Sequence, residues 1–331
     1  MLNSTSLIHA VIQKEVREVV RDGRLRVLGS IVLVLAITAL AFGVQQTHRS
    51  EHARAHARER AASQWEGQGE KNPHVAAHYG THVFAPTSAA TAIDPGVSAF
   101  MGRTVKLEAH RRNLASHSAA QDGGGLQRMG AFSVASVLLQ LVPLLIIALG
   151  YGLWSLERER GTLRQVISSG VERRTLLWGK GSALAILVGT LLAPAGLVVA
   201  GVLWWLGGGD SGTLTRVALL AVAYCVYFTV YGGLTLYASA TVRASRGALV
   251  ALVGAWALFS LVTPRIATEA AAILAPLPSE AEWARGVKKS LETGVDGDTT
   301  RDDAVEAITS DLLAAEGIEA TGMMVDASFI A

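Results

Sequence analysis

Five blocks of this sequence are long enough to cross a hydrocarbon core, and none of them contains Asp, Glu, Lys or Arg. They cover 27–46, 131–154, 181–208, 217–242 and 247–263. A spanning helix needs about 20 residues, and each charged residue at its centre costs about 2.5–3.5 kcal/mol on insertion scales. The expected fold is therefore an all-α polytopic membrane protein with five transmembrane helices. Composition agrees: half of the 331 residues are hydrophobic, only 17% are charged and the mean hydropathy is +0.36. That is more apolar than a soluble domain needs to bury a core. Pro143 and Pro194 fall inside the second and third blocks. They are tolerable where neighbouring helices satisfy the freed carbonyls, and they predict kinks. The fifth block is the shortest and stops at Pro264.

Lys and Arg set the expected orientation. They collect in the arm 1–26 (Lys14, Arg17, Arg21, Arg24, Arg26), in the hinge 155–180 (Arg158, Arg160, Arg164, Arg173, Arg174, Lys180) and in the short turn at Arg243 and Arg246. With five alternating spans these three share one side, which the positive-inside rule makes cytoplasmic. The N-terminus is then cytoplasmic, and the segments 47–130 and 264–331 lie outside a plasma membrane, the inner membrane in a bacterium. No sixth apolar run follows, so 264–331 is expected as an outer, largely helical segment.

In the arm, Leu7, Ile8, Val11, Ile12, Val16, Val19 and Val20 form an apolar stripe, with Lys14, Glu15, Arg17, Glu18 and Arg21 off it. That pattern suits an interfacial helix turning into the first span at Gly23. Ala39-Leu40-Ala41 has the form of a signal-peptide cleavage site, but the basic arm before it is about twice the usual length.

The loop 47–130 opens with a charged, alanine-rich stretch that predicts a helical extension of the first span. The stretch 71–100 is rich in turn formers and reads as irregular. His48, His52 and His56, and then His74, His78 and His82, recur every four residues. Such spacing can hold a metal on a helix face, but a zincin needs H-E-x-x-H and here the string is HARAH. Gly80 also interrupts the second trio, so neither a metal site nor metal catalysis is expected. Cys225 is the single cysteine and sits in the fourth block, where a small apolar residue is the ordinary reading. WGKGS at 178–182 imitates the end of a phosphate-binding loop, but Arg174 stands where the first glycine belongs. There is no G-x-S-x-G elbow and no acidic residue inside a block to relay protons. No enzyme, cofactor or nucleic-acid partner is expected of the chain itself.

The hinge is the most informative stretch. Glu157 to Ile167 are mostly good helix formers, with Leu163, Val166 and Ile167 on one face and Gly161 interrupting. Ser169-Gly170 breaks the run. Ser169 and Glu172 have the spacing of a capping box, which predicts a second helix starting there.

The string ERERGTLRQVISSGVERRTLLWGK resembles the signature of type-2 ABC transporter permeases, at the loop between their second and third spans. The matching positions are Glu157, Glu159, Gly161, Thr162, Leu163, Ser169, Val171, Arg173, Leu176, Gly179 and Lys180, while Gly170 stands where proline is frequent. The arm KEVREVVRDGRLR resembles the elbow helix of these permeases, and the long loop resembles that of a subfamily with large outer loops and paired permeases. The resemblance implies an ATP-driven transporter subunit, an exporter, acting as a homo- or heterodimer in membrane lipid. It also implies that Glu157 to Lys180 form a coupling helix docked on a separate ATPase, which alone binds ATP and Mg. Within it, Leu163, Val166 and Ile167 would bury against the ATPase, with Glu157, Glu159, Arg173 and Arg174 as rim charges. A non-transporting assembly or sensor protein is the alternative. Small residues at Gly232, Gly233, Ala238, Ser239 and Ala240, and at Gly247, Ala248, Ala251, Gly254 and Ala255, are candidates for the dimer or path-lining surface.

Overall fold

The computed structural model describes residues 4–109, 111–118, 132–294 and 300–315. Five helices are long and apolar enough to cross a membrane: Arg24–Glu66, Val134–Glu159, Arg173–Leu206, Ser211–Thr241 and Ser245–Leu274. The chain is thus an all-α polytopic membrane protein, with one small sheet in the loop after the first span. It divides into two compact units, Met1–Thr263 and Pro264–Ala331.

In the first unit, α1 (Ser4–Asp22) ends at Gly23, whose φ of 78° makes the sharp turn into α2 (Arg24–Glu66). The helix α2 runs on through the charged, alanine-rich stretch without a break. In the loop, α3 is Pro73–Tyr79. The second span is α4 (Val134–Gly150) and the short α5 (Ser155–Glu159); α6 (Thr162–Ser168) follows, then α7 (Arg173–Leu206), α8 (Ser211–Thr241) and α9 (Ser245–Ala257).

The central helix is α4. More than half of its most apolar window is buried inside the protein, against less than a fifth in each of the other four spans, which leave their apolar side chains for lipid. Val142, Leu145, Ile146 and Leu149 of α4 anchor a core shared with Val32 of α2 and with Leu184, Leu187 and Leu203 of α7. Pro143 deprives the carbonyl of Leu139 of its helical donor. The hydroxyl of Tyr227 on α8 donates to that carbonyl at 3.0 Å, and the indole Nε1 of Trp256 on α9 donates to the carbonyl of Gln140 at 3.1 Å. Neighbouring helices thus supply the donors that a proline in a span requires.

The fifth span does not stop at Pro264. A single π-helical turn, Leu258–Val262, links α9 to α10 (Thr263–Leu274), so Pro264, which cannot donate to a carbonyl in the preceding turn, falls directly after a point where the α-helical pattern is already interrupted. In the second unit, Ser279 and Glu282 make a capping box that starts α11 (Glu280–Thr293), and α12 covers Arg301–Ala315.

The stretch 71–100 is more ordered than its composition suggests. β1 (Thr81–Phe84) pairs antiparallel with β2 (Thr104–Glu108), Thr81 opposite Leu107 and Phe84 opposite Thr104, and β2 pairs with β3 (Arg111–Arg112). Strands this short leave too little alternation to be read in sequence. The 3₁₀ turn Ala89–Ala92 inserts among α2, α7 and α8. A Cβ on Gly43 of α2 would lie 1.8 Å from the Ala92 carbonyl oxygen, so only glycine permits this approach. The next carbonyl, of Ile93, accepts from the Ala135 N–H at 3.1 Å. These contacts define a sheet end of the bundle, opposite the elbow end at α5 and α6.

Candidate functional site: the elbow and its ionic knot

Two glycines shape the elbow. Gly161 (φ 74°) separates α5 from α6, and Gly170 (φ 88°) follows α6, both in the left-handed region that other residues avoid. The expected capping box is absent. The Ser169 hydroxyl donates to the Val166 carbonyl at 2.8 Å, and α7 starts one residue after Glu172, which makes no side-chain cap. Left-handed Gly170 turns the chain so that Ser169 closes α6 instead of opening α7.

Lys180, in the second turn of α7, is 1% exposed. Its ammonium lies 2.5 Å from Glu15 Oε1 of α1 and 3.0 Å from Glu157 Oε2 of α5, with the Trp154 ring centroid 5.7 Å away. Lys14 bonds the other oxygen of Glu157 and lies 3.0 Å from Glu15. Burial of Lys14 opposes its charge, but these two carboxylates outweigh it and hold its pKa above that of an ordinary lysine. The two lysines and two carboxylates of the knot balance in charge, which favours burying such groups; at its exposed rim Lys14 also lies 3.3 Å from Glu18, which Arg160 approaches to 3.8 Å. Gly179, beside Lys180, lets α1 close in: a Cβ there would lie 2.6 Å from a Val11 methyl.

Residues 157, 158 and 159 each hold a different element. Glu157 reaches α1 and α7 through the knot. The guanidinium of Arg158 donates to the Val242 carbonyl at 2.8 Å and to that of Ala240, capping the C-terminal end of α8. The carboxylate of Glu159 accepts from the N–H (2.7 Å) and the hydroxyl (2.8 Å) of Ser245, capping the start of α9. The buried Ser239 hydroxyl accepts from the Trp154 N–H at 2.9 Å. The elbow is thus bonded to four helices, α1, α7, α8 and α9.

A family model described as "ABC-2 family transporter protein" matches residues 9–295. The chain belongs to the ABC-2 family. No curated protein and no solved structure matches it. Family members are transmembrane subunits of ABC transporters, so this is a multi-pass transporter permease whose family as a whole works with an ATPase partner.

Against this ABC-2 frame, the residues expected to couple divide into two groups. Glu157 and Lys180 are engaged inside the protein, and Glu159, although exposed, is bonded to Ser245. Leu163, Val166 and Ile167 are half-buried and pack against the chain's own core, whereas Thr162, Arg164, Gln165, Ser168, Ser169, Arg173 and Arg174 are exposed. The apolar stripe of α6 belongs to the permease fold itself, and its polar side faces away. Lys14, Glu15, Arg158 and Ser245 were not legible as site residues, and Ser239, a candidate for the dimer or path-lining surface, instead holds the Trp154 N–H inside the protein. The one available signal was Lys180, a lysine directly before an uncharged block, which calls for a buried counter-charge.

The histidines form no cluster of three ligands among the described residues. Gly80 (φ 69°) ends α3, so His74 and His78 sit together on a helix, with ring centroids 4.7 Å apart, while His82 is on β1. On α2, the His48 ring lies beside Trp205 and His56 pairs with Glu59. The small residues also divide. Ser239 and Ala248 are buried contacts, but a Cβ on Gly232, Gly233 or Gly254 would meet nothing within 4 Å.

Proposed function

We propose that this chain is the exporting permease of a bacterial inner-membrane ABC transporter, with its N-terminus and elbow in the cytoplasm and α5–α6 as the coupling element. The observation that carries this is the junction at 157–159. A partner that moves the elbow moves α1, α7, α8 and α9 together, because each is held by a charged or capping bond rather than by loose packing. The ATPase would dock on the exposed side of α6, at Arg164, Gln165 and Ser168, and Arg173 and Arg174 would supply rim charges. ATP and Mg would be held by that ATPase. Two permease chains in lipid would enclose the path.

The test is co-purification with an ABC ATPase from the same cells. Arg164→Glu should reduce recovery of the ATPase while leaving membrane insertion intact. Glu157→Gln should leave the ATPase bound but lower its transport-linked turnover, since it loosens the junction rather than the docking face. Full recovery and full turnover in both variants would reduce the elbow to a connector.

A further inference from the structure

Between α2, α4, α7 and α8 lies a cavity of about 680 Å³. It runs along α7 from Gly181 to Leu203, about 33 Å at 1.5 Å per residue, which matches the ~30 Å hydrocarbon thickness of a bilayer. Widened on every side by the ~1.4 Å radius of a water, a slot of that volume and length is about 8 Å across, narrower than the 10–12 Å of a helix with its side chains. The slot is too thin for a helix of this chain or of a second copy.

Its walls also exclude water and ions. Among the described residues no charged side chain lines it, and the polar ones that do are Tyr224, Cys225 and Thr229. The Thr229 hydroxyl is already bonded to the Cys225 carbonyl at 2.7 Å. A buried water needs two to four polar partners, which this lining does not provide. Left empty, the walls would lose their dispersion contacts on one side.

The slot is closed at the elbow end, where a Cβ on Gly181 would already touch Leu236, and Ile93 lines it at the sheet end. Along its flank it is open. Gly189 and Gly196 of α7 and Cys225 and Gly233 of α8 line it and are exposed to the surroundings, which for a spanning helix are lipid. Glycines in spans ordinarily let two backbones approach. Here a Cβ on Gly189, Gly196, Gly232 or Gly233 would meet nothing within 4 Å, so the missing side chains create width.

We propose that this slot is a binding site for one acyl chain of a membrane phospholipid, entering sideways past α7 and α8 with its headgroup left at the membrane surface. The proposal requires only the membrane-spanning fold, not the coupling role of the elbow. Its failure would leave the transporter reading standing.

The experiment places the purified protein in nanodiscs containing a phosphatidylcholine with a diazirine in mid-chain, followed by irradiation and mass mapping of adducts. Adducts should concentrate on Tyr224, Cys225 and Phe228, in excess over Val222 and Val226, which are exposed on the same helix outside the slot. The double variant Gly189→Leu/Gly232→Leu should lower slot adducts by roughly tenfold, the change expected from displacing about two methylenes. Thermal unfolding in detergent shows whether that variant is folded; if it is not, Gly196→Leu is read in its place. Equal labelling of Tyr224 and Val222, or unchanged labelling of Tyr224 in a folded filled variant, would show ordinary boundary lipid and overturn the proposal. So would a disulfide forming between Cys225 of two copies in place of lipid adducts.

Discussion

Lys180 is among the largest fully buried side chains among the described residues, and it is held by carboxylates from two other elements. Removing the ammonium leaves Glu15 and Glu157 facing each other without it. Breaking a buried ion pair from one side costs about 3–5 kcal/mol, whereas replacing both partners with apolar groups is often neutral. Lys180→Met should therefore lower the thermal unfolding temperature in detergent sharply, and Lys180→Met/Glu15→Leu should recover part of the loss. Equal losses in the two variants would show that the knot contributes through shape alone. Lys14 is half-exposed, so Lys14→Met should cost far less. Arg158 differs from the knot residues in what its fork holds, which is a pair of backbone carbonyls at the end of α8. Arg158→Ala should cost about 1.5–3 kcal/mol, the range for hydrogen bonds to a charged group. Arg158→Lys should recover only part, because an ammonium lacks the planar fork. The same unfolding measurement decides it.

At the scale of elements, α6 has two faces with different partners. The half-buried Leu163, Val166 and Ile167 pack inward, so Leu163→Asp should destabilise the permease itself as well as any complex it forms. Measuring insertion and thermal stability beside ATPase recovery separates the two. An aspartate at Leu163 that leaves stability unchanged would return the apolar face to the ATPase. The wedge Ala89–Ile93 makes a second element-scale case. With the Ala92 carbonyl 1.8 Å from where a Gly43 Cβ would stand, Gly43→Ala must displace the wedge from α2. Limited proteolysis within 85–101 should then speed up several-fold relative to Ser30→Ala, a control at an exposed position on the same helix. Unchanged cleavage would mean the wedge is held by the Ile93–Ala135 bond alone.

For the whole molecule, the proposed cytoplasmic N-terminus and five alternating spans would put Ser290 of α11 outside. In a Cys225→Ser background, Ser290→Cys should react with an impermeant maleimide in intact cells. Reaction only after lysis would put the segment in the cytoplasm and change the parity of the spans. The number and approximate place of those spans were legible because an uncharged run of about 20 residues has few stable locations other than a bilayer. The turn at Gly23, the break at Ser169-Gly170 and the elbow signature were legible for the same kind of reason: each depends on residues adjacent in the chain. The capping box failed because Gly170 reversed the chain between its two members, and the fifth span outran Pro264 because the π turn Leu258–Val262 already interrupts the α-helical pattern just before the proline. Which face of α6 is inward, which glycines make contacts and which make space, and that Glu15, Glu157 and Lys180 meet at all were decided by tertiary structure alone. The knot joins Lys14 to Glu157 across 143 positions and Glu15 to Lys180 across 165, separations that carry no local signal. A charged residue looks the same in sequence whether it ends up in water or against a buried partner, and only the packing of α1 on α7 determines which.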